Sequence, residues 1–351
     1  MILRRASLAD SAAQVLLAQL DSGRWTDFLP GERALCEELQ ISRPTLRQAL
    51  QVLERKGRLK VTQGRQRRIK GRRTAGVPGV RRKVIGVLSS LPMQALPPFA
   101  LFWIDEVRSD LARLGYQLEF HGNPACTTHN PGRTLERLVQ GAPASVWVLL
   151  LSTPPVQQWF LERKLSCLVA GSCAPDISLP SVDIDYRAAC RHAVGVFRRG
   201  GHSRLALIIP AGALAGDADS EAGFCEATAG GPPPIILRHN GTPRDIVCHL
   251  ETSLRASDPP TGLLVARSAH VLTVLTLLMR RGCQLPFQAA VISRDDDVFL
   301  DFVTPRVARY SSNPVIFARR VSHAVLQLTR SGPAPSRPIR LMPKFLPGET
   351  V

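Results

Sequence analysis

The sequence predicts an α/β protein with two parts, a small helical module that ends in a β-hairpin and a larger two-lobed module with parallel sheets. Three observations support this fold class. Apolar residues recur at helical spacing near the N-terminus, short β-type runs alternate with helical stretches after Lys83, and a basic Gly/Pro segment separates the two patterns. We therefore expect a first domain over residues 1–70, a linker over 71–83 and a second domain over 84–351.

Length and composition exclude several classes of protein. The 351 residues are 44% apolar, which is enough for sizeable cores. Apolar runs such as Val146–Leu151 span about six residues, whereas a membrane helix needs roughly 20, and the N-terminus has no secretory pattern. The eight cysteines form no CxxC pair, which indicates reduced thiols rather than a zinc site or a disulfide framework. We expect a soluble, cytoplasmic protein with no membrane partner, no metal and no cofactor.

Positive charge is concentrated in the N-terminal quarter of the chain. The protein has 45 Lys and Arg against 28 Asp and Glu, and residues 1–83 hold 19 of the basic and 7 of the acidic residues. No acidic residue occurs between Arg55 and Lys83, and the rest of the chain is close to neutral. Such asymmetry indicates a module that binds a polyanion, joined to a part with another role.

The first two helices are predicted from capping residues and apolar spacing. Ser7 and Asp10 fit a capping box, and Gly23 ends the first helix. The apolar stripe of this helix comprises Leu8, Ala12, Val15, Leu16 and Leu20. A short second helix opens at Leu29–Arg33 and carries Ala34, Leu35 and Leu39.

A third helix follows after a tight turn. Ser42 is a good N-cap, Pro44 lies in the first turn, and Gly57 ends the helix. One face carries the core stripe Leu46, Ala49, Leu50 and Leu53, and another carries Arg43, Arg47 and Gln51. Guanidinium and amide groups near the start of the second of two closely joined helices are typical of a helix-turn-helix that enters the DNA major groove. Strands at 59–61 and 66–70 predict an arginine-rich wing.

These residues resemble the winged helix-turn-helix of the GntR family. The resemblance covers about residues 8–70 and rests on Leu29-Pro-Gly-Glu-Arg33, Ile41-Ser-Arg43, Thr45-Leu-Arg47 and the leucines and glycines between and after them. It implies that Arg33 contacts the DNA backbone and base edges, that Ser42 and Thr45 bind phosphates, and that Arg43 and Arg47 read guanines. It also places Gln63 and Gly64 in the minor groove at the wing tip, and Arg65 follows as a further DNA-binding residue.

Simpler interpretations of the same arginines stay open. Arg33 could pair with Glu37 one helical turn later, and Arg43 and Arg47 could belong to an ordinary solvated face. Two arginines one turn apart repel each other, which favours an anion that holds them both.

The larger module alternates between strands and helices. β-type runs occur at 84–88, 116–120, 146–151, 166–170, 204–209, 234–237, 262–266 and 289–292. Helical stretches lie between them at 101–114, 133–139, 187–197 and 270–281. This alternation predicts right-handed βαβ units around parallel sheets that are covered on both faces. The length of the module and a restart at Gly200-Gly-His202 indicate two lobes with a cleft between them.

Several stretches of this module resemble the LacI/GalR-type sensor, whose fold is that of periplasmic binding proteins. They are Lys83–Val87 with Pro97-Pro-Phe99, Val182–Tyr186 with Gly201–Leu205, Gly282–Pro286 with Ala290–Asp296, and Leu346–Thr350. The resemblance covers about residues 83–351 and implies an effector cleft between the lobes and dimerisation through this domain. The candidate ligand-binding residues are Phe99, Asp185, Ser220, Arg267 and Asp295.

The chain departs from the family pattern at two of these positions. Sugar-binding members place an Arg three residues before a Gly-aromatic pair, where this chain has Ser220, and an Asn-Asp pair where it has Arg267-Ser268. We therefore expect an effector that is not the family's pentose or hexose. One hypothesis is an acidic small molecule with Arg267 as its charge partner, and the other is a vestigial pocket in which Arg267 bridges Asp295 or Asp296.

Together these features predict a DNA-binding transcriptional regulator, expected to act as a repressor. A homodimer would bring two winged helices to a double-stranded, pseudo-palindromic operator, and a small molecule in the cleft would change operator affinity. The alternative is a solute-binding-like protein with a degenerate pocket that binds nucleic acid without sequence preference. No enzyme is expected, because GxSxG, HExxH and P-loop motifs do not occur, and only Lys164 and Lys344 follow Lys83 as Schiff-base candidates.

Overall fold

The computed structural model confirms the predicted α/β class. It describes residues 8–21, 29–55, 57–60, 67–69, 83–128, 130–212, 214–331 and 338–351. The chain divides into two compact units, Met1–Arg81 and Arg82–Val351. Of the predicted site residues, Gln63, Gly64 and Arg65 lie outside the described residues.

The first unit packs three helices around a leucine core. Its elements are α1 (Leu8–Asp21), α2 (Glu32–Leu39), α3 (Arg43–Arg55) and the antiparallel strands β1 (Leu59–Lys60) and β2 (Arg68–Ile69). All four predicted core residues of α3 are buried, together with Leu16, Leu20, Leu29, Leu35 and Leu59. Gly57 ends α3 as predicted, with a φ of 69° and a hydrogen bond from the Arg58 N–H to the Leu53 carbonyl at 2.9 Å.

The predicted apolar stripe of α1 is partly wrong. Leu8 and Val15 are 65% and 46% exposed. The buried face of α1 is instead formed by Ala9, Ala12, Ala13, Leu16 and Leu20. These positions follow the i, i+3, i+4, i+7 pattern, and the two exposed residues lie on a neighbouring face one heptad apart. Ala34 on α2 is also exposed.

The second unit contains two six-stranded sheets. The first lobe holds β3 (Lys83–Ser89), β4 (Tyr116–Gly122), β5 (Val146–Leu150), β6 (Cys167–Ala170), β7 (Ser181–Ile184) and β13 (Ile339–Leu341), with helices α4 (Pro98–Arg113), α5 (Gly132–Gly141), α6 (Pro154–Glu162) and α11 (Pro314–Ser331). Its strand order is β13-β7-β6-β5-β3-β4, and every pair is parallel. Buried apolar clusters cover both faces of the sheet, as expected for parallel strands.

The second lobe repeats this arrangement. It holds β8 (Leu205–Pro210), β9 (Ile235–His239), β10 (Gly262–Val265), β11 (Ala290–Ser293), β12 (Ala308–Ser311) and β14 (Lys344–Leu346), with helices α7 (Tyr186–Arg199), α8 (Ala215–Thr228), α9 (Pro243–Leu254) and α10 (Ser268–Arg280). The strand order is β14-β12-β11-β10-β8-β9, and only β14 runs antiparallel to its neighbour. Thr350 fastens the C-terminal end, because its hydroxyl accepts from the Ala308 N–H at 3.0 Å and donates to the Val291 carbonyl at 2.7 Å.

The chain passes between the lobes after β7, β12 and β13. The sequence placed the restart at Gly200–His202, but the change of lobe occurs at Asp185, because α7 packs against α8 and into the core of the second sheet. Helix α11 returns to the first lobe, where Phe317, Val321 and Val325 join the core around α4.

Candidate DNA-binding surface and ligand cavity

Helix α3 presents two exposed arginines on a face beside its leucine core. Ser42 caps the helix as predicted, since its Oγ accepts from the Thr45 N–H at 3.4 Å and lies 2.8 Å from Thr45 Oγ1. Arg43 and Arg47 are exposed, and Arg47 retains 63% of its side-chain accessibility. The cap and the core fix the start of the helix, so both guanidinium groups project from its first two turns into solvent.

An ion-pair network restrains one of these arginines. Arg47 Nε donates to Glu32 Oε2 at 3.1 Å, and Arg67 donates from Nη1 to Glu32 Oε1 at 2.8 Å and from Nε to Glu54 Oε1 at 3.0 Å. The hydrogen bond from Arg67, followed by that from Arg47, keeps the pKa of Glu32 below its usual value. The network connects the residue preceding β2 to both α2 and α3.

Arg33 forms the contact that the simpler interpretation describes. Its Nε lies 3.1 Å from Glu37 Oε1, one turn further along α2, and both side chains remain largely exposed. Such a surface pair contributes at most a few tenths of a kcal/mol. The pair therefore offers little resistance to a competing phosphate.

A cavity of about 660 Å³ lies between the two lobes of the second unit. Aromatic and aliphatic side chains from α4 and α11 line it on the first lobe, among them Phe99, Phe102, Trp103 and Phe317. The ring centroid of Phe317 lies 5.4 Å from those of both Phe99 and Trp103. The second lobe contributes uncharged residues such as Tyr186 and Ser311 together with seven charged ones: Asp217, Arg267, Arg294, Asp295, Asp296, Asp297 and Asp301.

Arg294 is the centre of a buried cluster on the second lobe. Its side chain is 2% exposed, and Nη1 donates to Ser220 Oγ at 2.7 Å and to Asp217 Oδ1 at 3.1 Å. Nε donates to Asp295 Oδ1 at 3.3 Å, and the guanidinium carbon lies 4.0 Å from the ring centroid of Tyr186. Ser220 in turn donates to the Gly216 carbonyl at 2.7 Å. The cluster thus places a guanidinium directly beside the position where the family pattern has an arginine.

Arg267 lines the cavity but is already paired. Its Nη2 donates to Asp217 Oδ2 at 2.7 Å, and Nη1 lies 4.0 Å from Asp295 Oδ2. Asp296 pairs with Arg309 instead, at 2.6 Å. The predicted ion pair between Arg267 and Asp295 is therefore present, but the main partner of Arg267 is Asp217, which was not among the candidate residues.

The structure brings together three of the five predicted ligand-binding residues. Phe99, Arg267 and Asp295 line the cavity. Ser220 is fully buried behind the lining and supports Arg294. Asp185 is not part of the lining, since its carboxylate caps α7 by accepting from the Ala188 N–H at 2.9 Å.

Asp183 lines the cavity, whereas the predicted residue Asp185 does not. The two lie two residues apart, but Asp183 is inside β7, whereas Asp185 has left the strand. Ser172 donates to Asp183, and the Ile184 N–H donates to it at 2.8 Å. Burial raises the pKa of Asp183 to about 6, against the opposing effect of these hydrogen bonds; the neighbouring Asp219 raises it further and Arg294 lowers it.

A polar contact joins the two lobes beside Asp183. Ser172 of the first lobe lies 3.0 Å from Asp219 Oδ2 on α8, and Arg340 of β13 lies 3.4 Å from the same oxygen. Asp219 therefore receives contacts from two first-lobe elements. Neither Asp219 nor Arg340 was predicted, because only the fold places α8 against the end of β13.

Comparisons with known proteins agree with both units. Residues 8–69 match the bacterial regulatory proteins of the gntR family, and residues 194–351 match the periplasmic binding protein-like domain. No curated protein matches the chain. No helix in the described part of the chain combines the length and apolar character that crossing a membrane requires.

Several solved structures similar to this chain are described as transcriptional regulators. A putative transcriptional regulator LacI from Bacillus cereus subsp. cytotoxis is 21% identical with a TM-score of 0.68, covering 77% of this chain and 98% of that one. A regulatory protein of the LacI family from Chloroflexus aggregans is 19% identical with the same TM-score and the same coverage. The transcriptional regulator CelR in its cellobiose complex is 19% identical with a TM-score of 0.68, covering 89% of this chain and 92% of that one.

The sequence motifs, the exposed arginines of α3 and the cavity between two parallel sheets agree with these matches. The chain combines a region that matches the gntR family of bacterial regulatory proteins with a region that matches the periplasmic binding protein-like domain, and its second unit has the fold of LacI-family regulators. These findings support a ligand-modulated, DNA-binding transcriptional regulator.

Proposed function

We propose that the chain is a repressor that binds a pseudo-palindromic operator as a homodimer and changes its operator affinity when a small molecule occupies the cavity between the lobes. The observation that carries this proposal is the position of Arg43 and Arg47, exposed near the capped start of α3 on a face separate from its buried core. A helix of this kind presents bidentate donors to base edges in the major groove.

The individual contacts follow from the geometry of the first unit. Arg43 and Arg47 would read guanines, while Ser42 and Thr45 at the cap would hold phosphates together with Arg33, which binding would draw away from Glu37. Glu32 holds Arg47 in the free protein at 3.1 Å. This contact restrains the Arg47 side chain before DNA arrives, so less conformational freedom is lost on binding.

Selection from a random DNA pool at near-physiological salt tests this function. The full-length protein should enrich one sequence and bind it at least about 10³-fold more tightly than bulk DNA. The Arg47→Ala variant should lose about 1–3 kcal/mol of discrimination at single base pairs, and Arg43→Ala should do the same at others. Arg108→Ala removes an equal charge from an exposed helix of the second unit and is the matched control.

Two outcomes would contradict the proposal. If Arg47→Ala and Arg108→Ala bind the selected sequence equally well, α3 does not read DNA. If the wild-type protein binds all sequences alike with a steep salt dependence, the chain binds nucleic acid non-specifically, which is the alternative function.

The effector is a separate part of the proposal. The CelR neighbour is described in complex with cellobiose. At 19% identity, however, the similarity between CelR and this chain concerns the fold only and does not identify the ligand. In this chain the second-lobe wall of the cavity is charged and its arginines are paired. We propose that the effector differs from a neutral sugar and that it binds between the two walls.

A further inference from the structure

The two walls of the cavity differ in chemistry. The first lobe offers the rings of Phe99 and Phe102 from α4, behind which the rings of Trp103 and Phe317 are buried in the core of the lobe. The second lobe offers a row of carboxylates on the segment after β11, from Asp295 to Asp301, with Asp217 from α8. A molecule that fills the space therefore meets aromatic rings on the first lobe, with Asp183 beside them, and several carboxylates on the second lobe.

Carboxylates outnumber guanidinium groups in this cavity. Six aspartates and two arginines line it. Arg309 lies outside the lining but pairs with two of the aspartates, Asp296 and Asp301. When Arg309 is counted as well, two carboxylates remain for each guanidinium. A site with this excess of negative charge attracts cations and repels anions.

The two lining arginines have little capacity for an anionic ligand. Arg294 already contacts Asp217, Ser220 and Asp295, and its guanidinium face lies on Tyr186. The other lining arginine, Arg267, donates to Asp217 as well. An acid could bind either arginine only by displacing a carboxylate that would then lose its partner in a buried site, which is costly. The geometry therefore opposes the acidic effector that the sequence suggested.

Two carboxylates are available to a positive ligand. Asp297 lines the cavity, and its carboxylate makes no hydrogen bond or ion pair within the described part of the chain. Asp183 faces the cavity from the first lobe, where its hydrogen-bond partners are a hydroxyl and a backbone N–H rather than a cation. Each has room for a charged donor, and aromatic rings nearby would add cation–π attraction.

From this juxtaposition we propose that the cavity binds a small organic cation, an amine with an apolar and preferably aromatic body. Its ammonium group contacts Asp297, and its body packs against Phe99 and Phe102. The inference rests on the proposed function only in taking this cavity as the effector site. It goes further in assigning the charge and polarity of the ligand.

Three probes with one apolar body and different head groups test the charge preference. These are 2-phenylethylamine, 2-phenylethanol and phenylacetate, titrated into the full-length protein by calorimetry. A panel of other primary amines with aryl or alkyl bodies, screened by thermal shift, covers differences in shape. In the matched set, the amine should bind at least tenfold more tightly than the alcohol, and the acid should bind least. If another amine of the panel fits the cavity better, the same order should hold for that amine and the alcohol and acid that share its body.

Matched variants locate the site. Asp297→Asn keeps the shape of the side chain and should weaken amine binding about tenfold while leaving binding of the neutral alcohol unchanged. Asp258→Asn, which alters an exposed second-lobe carboxylate paired with Arg204 outside the cavity lining, should have no effect. Equal losses in the two variants, tighter binding of the acid, or no binding by any amine would each overturn the inference.

The DNA selection described above is performed without ligand, so the two hypotheses fail separately. A protein that selects a DNA sequence but prefers acids or binds no amine is a regulator with a different effector class. A protein that binds amines through Asp297 but shows no DNA preference has the proposed ligand class without the proposed function.

Discussion

Moving the buried guanidinium of the second lobe from position 294 to position 220 tests how the lobe holds it. Ser220 lies one turn after Asp217 on α8, and Arg294 reaches both residues with Nη1. An arginine at position 220 would reach Asp217 at the i, i+3 spacing on the same helix. The double variant Ser220→Arg/Arg294→Phe therefore moves the guanidinium from one element to another and keeps the same net charge. We predict that it is more stable than either single variant.

The expected magnitudes follow from the contacts. Loss of one partner from a buried ion pair costs about 3–5 kcal/mol, and Arg294→Phe should cost about 3 kcal/mol because Asp217 keeps Arg267. That remaining contact measures 2.7 Å. Ser220→Arg alone forces a second guanidinium into a fully buried position beside the first, and overpacking costs about 1–3 kcal/mol before repulsion is added.

Urea unfolding of the wild type, both single variants and the double variant gives the free energies for a double-mutant cycle. If the guanidinium is transferred, the double variant should lie within about 1.5 kcal/mol of the wild type, with a coupling of about 3 kcal/mol. A double variant that unfolds at or below the midpoint of the weaker single variant would refute the reasoning. In that case the cluster would depend on the direction from which Arg294 enters, and charge balance alone would not explain it.

Three further predictions concern stability. Asp183→Asn removes a carboxyl whose pKa is raised from 3.8 to about 6 in the folded protein. Because the folded state holds this proton more tightly than the unfolded state, the stability of the wild type relative to the variant should fall as the pH rises. Urea unfolding should show a fall of about 2 kcal/mol between about pH 4.5 and about pH 7.5. Gly223→Ala would place a Cβ 2.8 Å from the Cα of Arg187 and closer still to its carbonyl, so thermal unfolding should show a loss of more than about 2 kcal/mol, whereas Gly141→Ala meets open space and should not. Leu46→Ala should cost about 2–5 kcal/mol in the first unit, and limited proteolysis should then cleave residues 8–69 faster without affecting the second unit.

Much of the fold could be predicted because its pattern is local. All eight predicted strand runs of the second unit are strands, with ends that shift by up to two residues, and the core stripe of α3 is buried as expected. The strands that were not predicted from the sequence are β7 and β12–β14. Each has only three or four residues and contains a charged one (Asp183, Arg309, Arg340 or Lys344), which interrupts the apolar run. Helix α8 was missed because its alanines, glycines and acidic residues show hardly any separation into apolar and polar faces.

The candidate site was less predictable because it depends on pairing between distant residues. Arg267 and Asp295 could be recognised from their place in known motifs, but their partner Asp217 comes from another helix and had no signal of its own. Arg294 stood inside a stretch that was read only as a family match. A charged residue that closely follows the predicted buried strand at 289–292 was the available signal, since a buried arginine needs a partner.

The asymmetry of the cavity walls also bears on how a ligand could act at a distance. The second-lobe wall is prepared before binding, because each arginine there already has its carboxylates. The first-lobe wall has few polar contacts and consists mainly of rings on α4 and α11. A ligand that contacts only one wall has the same affinity for open and closed lobes and shifts no equilibrium. A molecule with a charged end and an apolar end contacts both walls only when the lobes are closed, so it binds the closed form more tightly than the open form. The difference between these two binding free energies is the most that the molecule can contribute to a change in DNA affinity.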